Sequence, residues 1–209
     1  MNTPNQETPT PRFTSTHKRK KRPDGTLSTC YEWLGSFITA LLCVIVLFTF
    51  VFRVVRVSGP SMMPTLSDND TLIISDMFYK PTTGDIVVLQ VPSYKDGLPL
   101  IKRVIATEGQ HVKIDFDKWT VTVDGKVLNE SYLYFQSQSM DRYDCPEEFT
   151  VKEGCVFLMG DNRNNSSDSR NSLIGQVDAR YIMGKVIFRL FSTAPFGTDT
   201  NPLLTPFTK

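Results

Sequence analysis

The chain has 209 residues, 40% of them hydrophobic, with 23 Lys/Arg against 22 Asp/Glu for a formal net charge of +1. That is room for one ordinary domain with a real core plus a short appendage. Residues 1–29 hold six basic groups (Arg12, Lys18, Arg19, Lys20, Lys21, Arg22) and two acids (Glu7, Asp24). Taking these from the totals leaves 17 basic and 20 acidic side chains, so the remainder is net −3 and offers no basic surface for nucleic acid.

In chain order, residues 1–16 are Pro/Thr-rich and nearly free of apolar side chains, the composition of a disordered tail. The run HKRKKR (17–22) follows. Residues 34–52, LGSFITALLCVIVLFTFVF, contain no charge. A helix of that length roughly matches the ~30 Å hydrocarbon core. A buried core helix is seldom apolar on every face for so long. A cleaved leader would need a shorter apolar run and a small-x-small site after it, whereas Arg53, Val54, Val55 and Arg56 come next. The expected organisation is a cytoplasmic tail over 1–29, a transmembrane anchor over 30–55 and an external domain over 56–209. The positive-inside rule sets this orientation, because the basic run lies just before the span. That adjacency also argues against reading the run as a nuclear or nucleic-acid patch.

After the span, short β-branched runs recur between Gly, Pro and Asp: 71–76, 84–92, 100–106, 111–115 and 119–128, then the apolar runs 153–161 and 181–191. Asp124–Gly125 between alternating segments predicts a hairpin. No long 3.6-period stretch or internal repeat follows the span, so the class is mostly β, as a sandwich or barrel. Residues 131–150 are polar and read as a loop or small cap. Cys145 and Cys155 lack zinc-site spacing and are either inert thiols or one disulfide. An external compartment permits the disulfide, which would close a loop of about ten residues.

The chemistry is narrowed by what is scarce. There are two histidines. His17 falls in the tail and His111 opens a strand, so a Ser-His-Asp triad has little support. A lysine serves as base if burial removes its charge. Lys102 interrupts the apolar strand 100–106, and strand alternation puts Lys102 and Arg103 on opposite faces, one of them facing inward. Ser61 lies in a Gly/Pro-rich turn, Ser58-Gly59-Pro60-Ser61-Met62-Met63-Pro64. A polar loop of small residues, GDNRNNSSDSR (160–170), follows a buried strand. Taken alone, each of these reads more readily as an ordinary turn or a solvated lysine.

Taken in order, the span, SGPSMMPTL, GDIVVL, IKRVIA and GDNRNNSSDSR resemble the type I signal peptidases, the Ser/Lys family of membrane-bound bacterial enzymes. The likeness runs over most of residues 30–192. It implies a membrane-bound serine endopeptidase that cuts signal peptides from secretory precursors after small residues at −1 and −3. It implies Ser61 as nucleophile, Lys102 as general base, and Ser166 hydrogen-bonded to the lysine amine. Asp161, Arg163, Asp168 and Arg170 would form an ion-paired supporting loop, joined by Arg103. The implied fold is an antiparallel, coiled β-barrel-like catalytic core with a small β insertion, here near 115–152, after one N-terminal transmembrane helix. Some members carry a serine two places before the nucleophile that helps bind the oxyanion. Gly59 stands there in this chain, and Ser58, one step along, points the other way. The second oxyanion donor is thus left open.

Ser61 follows the apolar run by nine residues, at most about 30 Å of chain, so the nucleophile is expected near the outer membrane boundary. Tethering enzyme and precursor in one bilayer raises their effective concentration. Alternation places Val55 and Val57 on the face shared with Gly59 and Ser61. With Met62, Leu66 and Ile101 these are the pocket candidates, their plain alternative being core. The expected partners are secretory precursors and the lipid bilayer, with no nucleic acid, metal or organic cofactor implied. A self-cleaving cytoplasmic Ser/Lys regulator would not need the span. A catalytically inactive membrane-anchored adaptor of the same fold is the remaining alternative.

Overall fold

The computed structural model describes residues 25–134 and 138–192. The basic run 17–22 and the tail before it lie outside the described residues. The chain divides into two compact units, Met1–Ile45 and Val46–Lys209.

Helix α1 spans Gly25–Val51. It takes in Gly25–Thr29, which the sequence reading gave to the tail, because nothing after Gly25 breaks a helix. Its stretch Thr29–Val46 has a mean hydropathy of 1.7 and none of it is buried. By length and composition this helix can cross a membrane.

The rest of the described chain is β. Strands β1 (Arg53–Arg56), β2 (Thr71–Ser75), β3 (Ile86–Gln90), β4 (Pro99–Thr107), β9 (Cys155–Met159), β10 (Val177–Asp178) and β11 (Ile182–Phe191) form one antiparallel sheet in the order β1-β2-β11-β3-β4-β9-β10. β5 (His111–Asp115), β6 (Thr120–Val123), β7 (Lys126–Val127) and β8 (Glu148–Thr150) form a second sheet, ordered β7-β6-β5-β8. The expected mostly β core with a small β insertion is what the chain adopts. The insertion begins at β5, a few residues earlier than position 115.

The larger sheet curls into a half-barrel. Along β11 the register shifts between Ile182 and Gly184, Val186 and Phe188, and Arg189 and Phe191. Each irregularity adds local twist and bends the strand. At Gly184 a Cβ would lie 2.9 Å from the Ser75 carbonyl carbon and oxygen, so only glycine lets β11 approach β2 there. The β6–β7 hairpin turns through Asp124 and Gly125, both at positive φ (50° and 76°), which selects that dipeptide.

β4 is the strand that organises the interior. Every residue from Ile101 to Ala106 is buried. Ile101 joins Val57, Met62, Leu66, Leu72, Ile74, Ile86, Val88 and Val186 in one apolar cluster. Val104 joins a second with Val87, Leu89, Val156 and Leu158. Ile105 and Ala106 join the third, beneath the small sheet, with Val112, Ile114, Val121 and Phe157. A strand covered on both faces offers no wet side. Alternation therefore could not choose between Lys102 and Arg103: the structure buries both, at 3% and 9% exposure.

Candidate active site

The turn that carries Ser61 is held from several directions. The Val57 N–H donates to the Asp70 carbonyl (2.8 Å), and the Asn69 N–H returns a bond to the Val57 carbonyl (3.0 Å). Gly59 sits at φ +92°, a conformation that disfavours a side chain, and its N–H donates to Asp68 Oδ1 (2.8 Å). Val57 before the serine and Met62 and Leu66 after it are buried in one apolar cluster, which anchors the turn on both sides of its tip.

Lys102 reaches this turn from β4. Its Nζ lies 2.8 Å from Ser61 Oγ and donates to the Ile101 carbonyl at 3.0 Å. Burial pulls the Lys102 pKa from 10.5 down to about 8. Asp168 and Asp161 oppose that fall, while Arg170 and Lys95 reinforce it. A neutral amine is thus accessible at mildly alkaline pH, hydrogen-bonded to a serine hydroxyl. That pairing can deprotonate the serine as it attacks.

The loop after β9 encloses the pair. Asp161, fully buried, receives Arg103 through Nε (2.8 Å) and Nη2 (2.6 Å) and also accepts from the Thr65 hydroxyl. One carboxylate thus ties β4 to the Ser61 turn. Arg103 further donates to the Gly84 carbonyl (2.9 Å) and lies 3.8 Å from the centre of the Tyr132 ring. Asp168, also fully buried, accepts from Arg170 Nε (2.9 Å), the Gly160 N–H (3.0 Å) and Ser166 Oγ (2.7 Å). Burial alone would raise the Asp168 carboxyl. Arg170 together with these donors outweighs it and holds the group below the usual carboxylate range. Arg163 is buried, donates to the Gly160 carbonyl (3.1 Å) and pairs with Glu130. Among the described residues no buried side-chain nitrogen or oxygen lacks a partner.

Gly160 explains how closely these parts pack. A Cβ there would fall 2.5 Å from the Ser61 carbonyl oxygen and closer still to Ser166 Oγ. The residue must be glycine for the loop to lie against the Ser61 turn.

One expectation changes, and two alternatives that the sequence left open are decided. Ser166 was expected to bond the lysine amine, but its hydroxyl donates to Asp168, two residues on. The partners of Lys102 Nζ are Ser61 and the Ile101 carbonyl. Cys145 and Cys155 are both free thiols. Cys145 is buried, its thiol donates to the Pro146 carbonyl (3.4 Å), and burial pushes its pKa up to about 11, the state of an inert core cysteine. Val57, Met62 and Leu66 lie wholly in the apolar core; Val55 is partly buried against it, and Ile101 sits at its margin. His111 is half exposed on the small sheet, where it meets Glu148 at 3.2 Å.

Sequence reasoning missed Glu130, Tyr132, Tyr143, Thr65 and a role for Asn162. The first three come from the irregular stretch after β7. Tyr143 donates its hydroxyl to the Ser166 carbonyl (3.2 Å). Nothing in a polar loop marks such residues, whereas Thr65 and Asn162 lay inside motifs already singled out.

The chain is similar to known proteins over most of its length. The chain is 37% identical over 175 residues to a "Probable signal peptidase I-1" of Synechocystis sp., covering 79% of this chain and 85% of that protein. It is 35% identical over 178 residues to signal peptidase I P of Bacillus subtilis subsp. natto, covering 80% and 89%. A crystal structure of a signal peptidase I from Enterococcus faecalis V583 matches at 31% identity and a TM-score of 0.41, over 51% of this chain and 97% of that one. The family described as signal peptidase, peptidase S26, matches residues 30–191, and the chain belongs to that family.

Proposed function

We propose that this peptidase removes signal peptides from secretory precursors, with Ser61 as nucleophile and Lys102 as general base. The observation that carries the reading is the 2.8 Å contact between Ser61 Oγ and a Lys102 amine that burial brings to a pKa of about 8. In the first step Ser61 Oγ attacks the scissile carbonyl carbon as Lys102 takes its proton. The negative charge that develops on the carbonyl oxygen is met by the Ser61 N–H. The lysine ammonium then protonates the leaving amine, and an acyl-serine remains. Lys102, neutral again, activates the water that releases the signal peptide's new carboxyl end.

The supporting groups act by holding these two in place. Asp161 links Arg103, next to the base in sequence, with Thr65 in the nucleophile's turn. Asp168 and Arg170 fix the loop that carries Ser166, and Arg163 with Glu130 fixes its other end. Of the pocket candidates, Val55, partly buried, and Ile101, at the margin of the core, are those a bound peptide would meet, with Val57, Met62 and Leu66 packed behind them. Specificity for Ala-like residues at −1 and −3 follows from the family likeness. α1 would serve as a single-pass anchor, with the basic run 17–22 on the cytoplasmic side and the catalytic domain outside.

The test is cleavage of a precursor peptide containing Ala-x-Ala by full-length protein in detergent. Wild type should cut after the second alanine, and Ser61→Ala and Lys102→Ala should each abolish the cut. The double variant should be no worse than either, because both groups serve one step. Cleavage that survives Ser61→Ala would overturn the reading.

A further inference from the structure

We propose that Asn162 is a positioning residue that aims the Ser61 N–H at the oxyanion. This rests on the Ser61 reaction given above, and it addresses a donor set in which Gly59 offers no side chain.

Two peptide groups flank Ser61. The Pro60–Ser61 bond is trans, the one cis bond among the described residues being Met63–Pro64. In a planar trans peptide the carbonyl and the N–H point in opposite directions. Whatever grips the Pro60 carbonyl therefore sets the direction of the Ser61 N–H. Two donors grip it: the Met63 N–H at 3.1 Å and Asn162 Nδ2 at 3.2 Å. The next carbonyl, that of Ser61 itself, accepts the Asn162 N–H at 3.0 Å. One residue thus fixes the peptide planes both before and after the nucleophile.

Asn162 is well placed to hold them. It is 4% exposed, and its Oδ1 accepts from Asn165 Nδ2 at 3.3 Å, which leaves the Nδ2 end facing Pro60. The bare Gly160 backbone, two residues earlier, lets the loop come this close. Hydrogen bonds to the Pro60 oxygen also polarise that amide, so its N–H becomes a stronger donor to a developing negative charge. The same contacts in an ordinary loop would only add stability. Here they end on the group that meets the oxyanion, so their loss should appear in the transition state and not in substrate binding.

The experiment compares wild type with Asn162→Asp and Asn162→Ala, full length in detergent. Asn162→Asp keeps the side-chain shape, the backbone bond to Ser61 and the acceptor for Asn165 but sets a carboxylate against Pro60, whereas Asn162→Ala removes the donor without adding charge. Three readouts are taken. These are kcat and KM for the Ala-x-Ala precursor peptide, inhibition by the same peptide ending as an aldehyde, and inhibition by that peptide ending as a primary alcohol. The aldehyde adds to a serine and forms an oxyanion, whereas the alcohol has no carbonyl. Both variants should lose about 10- to 100-fold in kcat and a similar factor in aldehyde affinity. KM and alcohol affinity should stay within about twofold, and in Asn162→Ala, which adds no charge, the pH midpoint set by Lys102 should not move. A kcat that stays at the wild-type value, or aldehyde affinity that stays while kcat falls, would overturn the role of Asn162 alone. A wild type that neither cuts the peptide nor binds the aldehyde would overturn the Ser61 reaction, and the role of Asn162 with it.

Discussion

Replacing Lys102 with methionine tests whether the base is held in a site that disfavours its charge. Methionine fills nearly the same volume without an ionisable group. A fall in pKa from 10.5 to about 8 means that folding disfavours the ammonium by about 3 kcal/mol relative to the neutral amine. The folded pKa lies below the unfolded one. Between pH 8 and 10.5 the unfolded chain therefore holds a proton that the folded chain has lost, and raising pH removes that advantage of the unfolded state. Wild-type stability should accordingly rise relative to Lys102→Met by about 3 kcal/mol across that window, and be flat against it below pH 7. Other groups titrate in the same range, so the difference between the two proteins is the quantity to follow. Urea unfolding in detergent at pH 6.5 to 10.5, read by the fluorescence of Trp119 in the core beneath the small sheet, gives it directly. A stability gap that stays constant from pH 7 to 10.5 would refute the claim that burial depresses this lysine.

Other substitutions follow from the same geometry. Gly160→Ala should cost about 100-fold or more in kcat, measured on precursor peptide, because the new methyl would push the loop away from Ser61 and Ser166. Glu130→Ala leaves Arg163 buried without its partner and should destabilise the domain by about 3–5 kcal/mol in urea, with Glu130→Gln costing less. Dithiothreitol should leave the unfolding midpoint unchanged. A thiol reagent should label Cys155 before Cys145 in the folded protein and both after unfolding.

The positions of many strands could be read along the chain, since β-branched runs bounded by Gly, Pro and Asp mark β2, β3, β5, β9 and β11. The Asp124–Gly125 turn followed from its need for positive φ. Alternation failed at β4 for a physical reason: it reports a face only where the other face is wet, and β4 is covered on both. Ser166 was misjudged because its nearest strong acceptor, Asp168, lies two residues on, and the bond depends on how the 3₁₀ turn at Arg163–Asn165 delivers the serine into the loop. Glu130 was invisible because its partner, Arg163, is 33 residues away and Glu130 itself sits in a polar stretch with no regular pattern. Ser61 and Lys102 were legible only together with the ordered motifs around them. Neither a serine in a turn nor a lysine in a strand announces chemistry by itself.

The proposed mechanism needs Lys102 to be neutral when it takes the Ser61 proton. The most direct measurement is kcat/KM for precursor cleavage from pH 6 to 10, in wild type, Lys102→Arg and His111→Ala. Activity in wild type and in His111→Ala should rise along a single limb with its midpoint near 8. Lys102→Arg should be inactive throughout, because a guanidinium keeps its proton at every pH in that range. Near wild-type turnover by Lys102→Arg, or loss of activity in a folded His111→Ala protein, would contradict the account.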